Sequence, residues 1–153
     1  MPVLEAEPLS QLYEADETAW LDALAEIVAD GRFHEIDPVH LAEYLADMAK
    51  RDRRQVENRL AILLAHLLKW HFQPEKRSRS WERTILVQRQ RLARILESAT
   101  LRNHAMANLG RAYFEAAQIV CVETGLPLEA FPSVCPFTWE QIESAPLPRE
   151  DRT

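Results

Sequence analysis

The densest chemistry in the chain lies between His66 and Arg89. The run reads His-Leu-Leu-Lys-Trp-His-Phe-Gln-Pro-Glu-Lys-Arg-Ser-Arg-Ser-Trp-Glu-Arg-Thr-Ile-Leu-Val-Gln-Arg. Trp70 and Trp81 flank a loop in which Pro74 stops one helix and Ser80 is placed to cap the next. Free backbone N–H groups at a helix start, beside Lys69, Arg77, Ser78, Arg79 and Ser80, make a donor set for a phosphate or carboxylate. Aromatic and basic residues together also suit single-stranded nucleic acid, although two tryptophans are few for a stacking platform. The candidate binding residues are therefore Lys69, Trp70, Arg77, Ser78, Arg79, Ser80, Trp81 and Arg89. The same residues admit an architectural reading. The two tryptophans would staple a helix–loop–helix corner, with arginines stacked on indoles or bound to the last carbonyls of the first helix.

Other constellations are weaker. His66 and His71 are five apart, off register for one helical face, and His34 and His40 flank Asp37 without a diagnostic ligand spacing. No metal site is expected. His66 suits the core, with one ring nitrogen bonded. Cys121 falls inside an apolar helical stretch, where a thiol is inert, and Cys135 precedes Pro136 with no base beside it. Both read as reduced thiols, with a bridge between them as the other reading. With three glycines in all, no Gly-rich phosphate loop exists. No catalytic residue and no cofactor is expected. Asp52, amid Lys50, Arg51, Arg53 and Arg54, would either form a buried ion pair that fixes register or mark a helix break.

The elements that must position these residues are helices. The first is expected from about Asp16 to Asp30, with a stripe of Trp20, Leu24, Ile27 and Val28 and a left-handed stop at Gly31. The second starts after Asp37-Pro38 and follows Leu41, Leu45, Met48, Asp52, Val56, Leu60, Leu63, Leu67 and Trp70 to near Phe72. It is either one long helix or two that break near Lys50–Arg54. From Leu60 onward more than one face is apolar, which marks the central element. A third helix runs from Ser80 to about Ser98, on Trp81, Ile85, Gln88, Leu92, Ile95 and Leu96. A fourth runs from Leu101 or Asn103 to Thr124, with Met106, Leu109, Tyr113, Ala117 and Val120 inward and Gly110 allowing a close helix approach. Leu126 to Phe137 should pack as a proline-rich strap through Leu128, Phe131 and Phe137. Thr138-Trp-Glu-Gln141 then spells a capping box for a short last helix to about Ser144. The fold class is all-α: a bundle of four main helices with a long second helix, a proline-rich strap and a short C-terminal helix. The 153 residues amount to a single helical domain, 1–153, ordered over about 13–146 with the residues after Pro146 disordered.

Composition narrows the class. Hydrophobic residues make up 47% and charged residues 27%, a globular balance, and the formal net charge is −6. The charge is segregated. Residues 1–48 hold twelve acids and one base, whereas residues 50–94 hold thirteen bases and four acids. Either the acidic segment neutralises the basic hairpin, in the same chain or in a symmetric partner, or the hairpin meets a polyanion or an acidic protein. The acidic balance of the whole chain opposes indiscriminate nucleic-acid binding. The N-terminus, Met-Pro-Val-Leu-Glu-Ala-Glu-Pro, is no signal peptide. The densest apolar run, Leu60 to Leu68, contains His66 and falls short of the ~18 residues a membrane span needs. A cytoplasmic protein without membrane contact is the expectation.

The 66–89 run resembles domain-of-unknown-function family 29, a family of small bacterial proteins. The resemblance extends upstream to the helix from Leu41 to Leu64 and downstream takes in Glu123 to Pro127, Phe131-Pro132 and Cys135 to Thr138, covering roughly 13–144. The chain departs from the family pattern at Glu43-Tyr44 and Ala49, where an acidic pair and a glycine are usual, and at His71. The resemblance implies an all-helical fold and no established biochemical activity. The function expected is that of a non-catalytic protein–protein interaction module, binding another protein or a second copy of itself. The alternative is a nucleic-acid or phosphate-ligand binder using the basic corner at residues 69–89.

Overall fold

The computed structural model describes residues 9–149, so readings made of residues 1–8 and 150–153 lie outside the described residues. Every regular element among the described residues is helical. The α-helices are α1 (Leu9–Ala15), α2 (Glu17–Ala29), α3 (Pro38–Phe72), α4 (Arg79–Ile95), α5 (Ala99–Ala107), α6 (Leu109–Thr124) and α7 (Trp139–Glu143). Packing divides the chain into two compact units, Met1–Lys50 and Arg51–Thr153.

The first unit holds α1, α2 and the first turns of α3. Asp16 ends α1 and caps α2, its carboxylate accepting from the Ala19 N–H at 3.1 Å. Gly31 takes φ of 71° after α2, as the sequence expects. Trp20 is fully buried, with Tyr13 edge-on at 4.8 Å and Tyr44 tilted at 5.7 Å. Leu24 and Ile27 are buried beside it on the α2 stripe, but Val28 is exposed. Asp37 precedes Pro38 and bonds His40 Nδ1 at 2.6 Å, and the His40 ring stacks on Tyr13.

α3 is one unbroken helix of 35 residues. Asp52 is exposed on it, neither a buried ion pair nor a break. The apolar seam read from the sequence is buried only from Val56 onward, because Leu45 and Met48 are 56% and 40% exposed.

The second unit is built around that buried half. Val56, Leu60, Leu63, Leu64, Leu67, Leu68 and Trp70 form the axis of the core. Ile85 and Leu92 from α4, Leu96 just after it, Ala112, Tyr113, Ala116, Ala117 and Val120 from α6, and Ile142 from α7 close over it. The expected fourth helix is two helices, α5 and α6, divided at Asn108, whose side-chain amide donates to the His104 carbonyl at 2.8 Å. Met106 is exposed on α5 rather than facing inward. Gly110 lies in the first turn of α6 with nothing close to the position of a Cβ, so it serves no close helix approach. Gly125 ends α6 at φ of 74°. The strap packs through Phe131 and Phe137, with Leu128 left exposed, and the Tyr113 hydroxyl donates to the Pro132 carbonyl at 2.5 Å. The Thr138–Gln141 capping box forms on α7 as read. Past α7, the buried Trp70 indole N–H needs an acceptor and finds the Pro148 carbonyl at 2.7 Å.

Candidate functional site

The α3–α4 corner is set by a short turn, Pro74–Lys76, that Pro74 opens. Ser78, not Ser80, caps α4: its hydroxyl accepts from the Trp81 N–H at 3.2 Å. The turn leaves the chain extended at Arg77 and Ser78, so the helix begins two residues earlier than Ser80 would allow. Ser80 is exposed, and its carbonyl accepts from the Thr84 hydroxyl.

The cations of the corner are mostly consumed inside the molecule. Lys69 is buried, 7% exposed, with Nζ 2.7 Å from Glu123 Oε2 and 5.2 Å from the centroid of the Trp81 ring. Arg77 Nε donates to the Trp70 carbonyl at 2.9 Å, and its guanidinium lies 5.2 Å from the Trp70 ring centroid. Arg89 donates to the carbonyls of Ile142 at 3.0 Å and Gln141 at 2.7 Å, capping α7 from outside. Burial pulls the Arg89 guanidinium below its ordinary pKa. Arg149 pairs with Glu82 and also lies over the Trp70 ring, 6.0 Å from its centroid.

What remains is a cleft of about 560 Å³ lined by Trp70, Pro74, Arg77, Ser78, Arg79, Glu82 and Arg149. It brings together Trp70, Arg77, Ser78 and Arg79, and leaves Lys69, Ser80, Trp81 and Arg89 outside its lining. Arg79 is exposed and has no ion pair among the described residues. The sequence reading missed Glu123, Pro148 and Arg149. Each meets the corner across more than fifty residues of chain, and no local spacing signals such contacts.

The nucleophiles and ligand types are quiet. Cys121 and Cys135 are free thiols. Burial pushes the Cys135 thiol up, and it donates to the Phe137 carbonyl at 3.8 Å. His66 bonds the Ile62 carbonyl through Nδ1 at 2.9 Å, and burial lowers its pKa. Burial, with Arg77 nearby, lowers that of His71 too. No group of three or more His, Cys, Asp or Glu side chains is placed for a metal among the described residues. A pocket beside Leu92, Trp139 and Ile142, with Arg89, Arg102 and Glu143 also in its lining, has a volume of about 230 Å³, below the ~300–1,000 Å³ of small-molecule sites.

The model of the family described as Domain of unknown function DUF29 matches residues 12–145. The chain belongs to that family. No curated protein and no solved structure matches it. In this DUF29 chain the Lys-Trp…Arg-Ser-Arg-Ser-Trp signature sits at one corner, and three of its side chains, Lys69, Trp70 and Arg77, bond within the fold. No described helix is long and apolar enough to cross a membrane.

Proposed function

We propose that this DUF29 chain is a non-catalytic protein-interaction module of the bacterial cytoplasm, binding another protein or a second copy of itself through the outer face of α6. One observation carries the reading. α6 carries exposed apolar side chains outside its core stripe: Tyr113, Ala116, Ala117 and Val120 face the core, while Val122 stands opposite them, 87% exposed, with Phe114 and Ile119 on the two flanks, 51% and 41% exposed. Large apolar side chains left exposed along one helix are candidates for contact with a partner. The Arg111–Glu115 pair lies on the same outer face, between Phe114 and Ile119.

The test is association of the full chain, measured by sedimentation and by photo-crosslinking from position 118. Phe114→Asp and Val122→Asp should weaken assembly at least tenfold and leave the melting temperature unchanged, since both side chains are exposed. Leu45→Asp, on the open part of the α3 seam, is the control. Assembly lost in that control and retained in the α6 variants overturns the assignment.

A second reading, a nucleic-acid or phosphate-ligand binder at the 69–89 corner, is supported by the cleft itself and by Arg79, which lines it and has no ion pair among the described residues. Arg77 and Arg149 already hold internal partners there, whereas Arg79 has no ion pair among the described residues.

A further inference from the structure

A second concave surface lies between α3 and α4, about 650 Å³ in volume. Its chemistry is carried by Arg51, Arg54 and Arg59 on α3, Gln88 and Arg91 on α4, and the carboxylate of Asp52. Four guanidinium groups thus face one carboxylate. Arg51, Arg54 and Arg91 are exposed and have no ion pair among the described residues. Arg59 is different. Its Nε is buried and has no hydrogen-bond partner, and its Nη1 reaches the Oε1 of buried Gln88 only at 3.4 Å, the long limit of such a bond. A buried donor without an acceptor is rare in native folds and calls for an ion, a water or a ligand. Gln88 is 9% exposed, and turning Oε1 toward Arg59 leaves its amide nitrogen as a further donor.

We propose that this groove is an oxyanion site for a phosphate-bearing ligand, with Arg59 and Gln88 donating from the floor and Arg54 and Arg91 closing on the anion from the rim. Guanidinium forks match phosphate bidentately. A single carboxylate would leave most of the excess positive charge unbalanced, while a phosphoryl dianion or a row of phosphates balances it. No aromatic side chain lines the groove, so it has no platform on which a base could stack. It reads phosphate rather than sequence. The seat spans residues 51–62 of α3, about 16 Å of helix, long enough for consecutive phosphates. This site is separate from the α6 face, and either assignment can fail without the other.

The test uses the full chain and inorganic tripolyphosphate. The ligand is titrated while the arginine Nε–H resonances are followed by NMR, with affinity taken from calorimetry. A saturable shift of the Arg59 Nε–H signal is expected. Arg54→Ala with Arg91→Ala, both exposed, should cut affinity at least tenfold with an unchanged melting temperature, and Arg79→Ala in the other cleft should leave it unchanged. Arg59→Met should abolish binding. Should that variant fail to fold, the rim variant decides. Competition by a DNA duplex at the same resonance assigns the phosphate to a nucleic-acid backbone, and its absence assigns it to a small phosphorylated ligand. The proposal is overturned by no saturable binding, by binding that survives loss of Arg54 and Arg91, or by poly-glutamate binding as tightly as tripolyphosphate, which would make the groove a seat for an acidic protein.

Discussion

Arg77 and Arg79 stand two positions apart in the signature and have different surroundings. Arg77 covers the Trp70 ring and donates to the Trp70 carbonyl, one of the orphan acceptors at the end of α3. Arg79 points into the cleft with no ion pair among the described residues. Removing Arg77 leaves that carbonyl without its charged donor and strips a cation from the ring, a loss of about 1–2 kcal/mol. Removing Arg79 should stay within about 0.5 kcal/mol, as for most surface changes. Urea titration of Arg77→Ala and Arg79→Ala compares the two directly, and equal midpoints would mean that Arg77 holds nothing together. From the sequence both arginines fitted either a structural staple or an anion site. Composition and spacing are the same in either case, and the difference lies in where each guanidinium finds an acceptor. For Lys69 that acceptor, Glu123, is 54 residues away.

α7 shows how a very short helix is kept. Its five residues are too few to be stable alone. The Thr138–Gln141 box satisfies its first N–H groups, both halves of the box being formed. Arg89 satisfies the Gln141 and Ile142 carbonyls from α4, and Ile142 is fully buried. Arg89→Met should therefore cost about 2–3 kcal/mol, the range for bonds to a charged donor. It should also speed amide exchange selectively in residues 139–143, and uniform exchange in that variant would show that α7 is held by Ile142 alone. Local chemistry made this cap legible in the sequence, as it did Asp16, Gly31, Gly125 and the Pro38 start. Other boundaries had no local mark. Asn108 divides α5 from α6 by bonding back to His104, with neither proline nor glycine at the break. α1, of seven residues, carries no buried side chain and gave no periodic signal. Ser78 and Ser80 are chemically equivalent caps, and only the length of the Pro74–Lys76 turn chooses between them.

At the scale of the whole molecule, charge and core are distributed unequally. Residues 1–50 carry twelve acids and two bases, whereas residues 51–153 carry sixteen bases and twelve acids. The charge contrast was legible in the sequence. The unequal core was not, because the α3 seam continues through both parts at the same spacing while burial begins at Val56. Among the described residues the large apolar cluster is drawn from Val56 onward, and the first unit contributes Trp20, Leu24 and Ile27 as its buried apolar side chains. Trp20 also buries its indole N–H without a partner, at a cost of about 1–3 kcal/mol. A unit of this size buries too little surface to be more than marginal, and its own negative charge repels itself. A fragment of residues 51–153 should therefore fold alone, melting cooperatively within about 5 °C of the full chain. A fragment of residues 1–50 should show no cooperative melt at low salt, and added salt should raise its helicity by screening. Circular dichroism melts of the two fragments check this. If 51–153 were unfolded by itself, the acidic unit would be part of what holds the basic unit's core, and the two could not be treated as separate folding units.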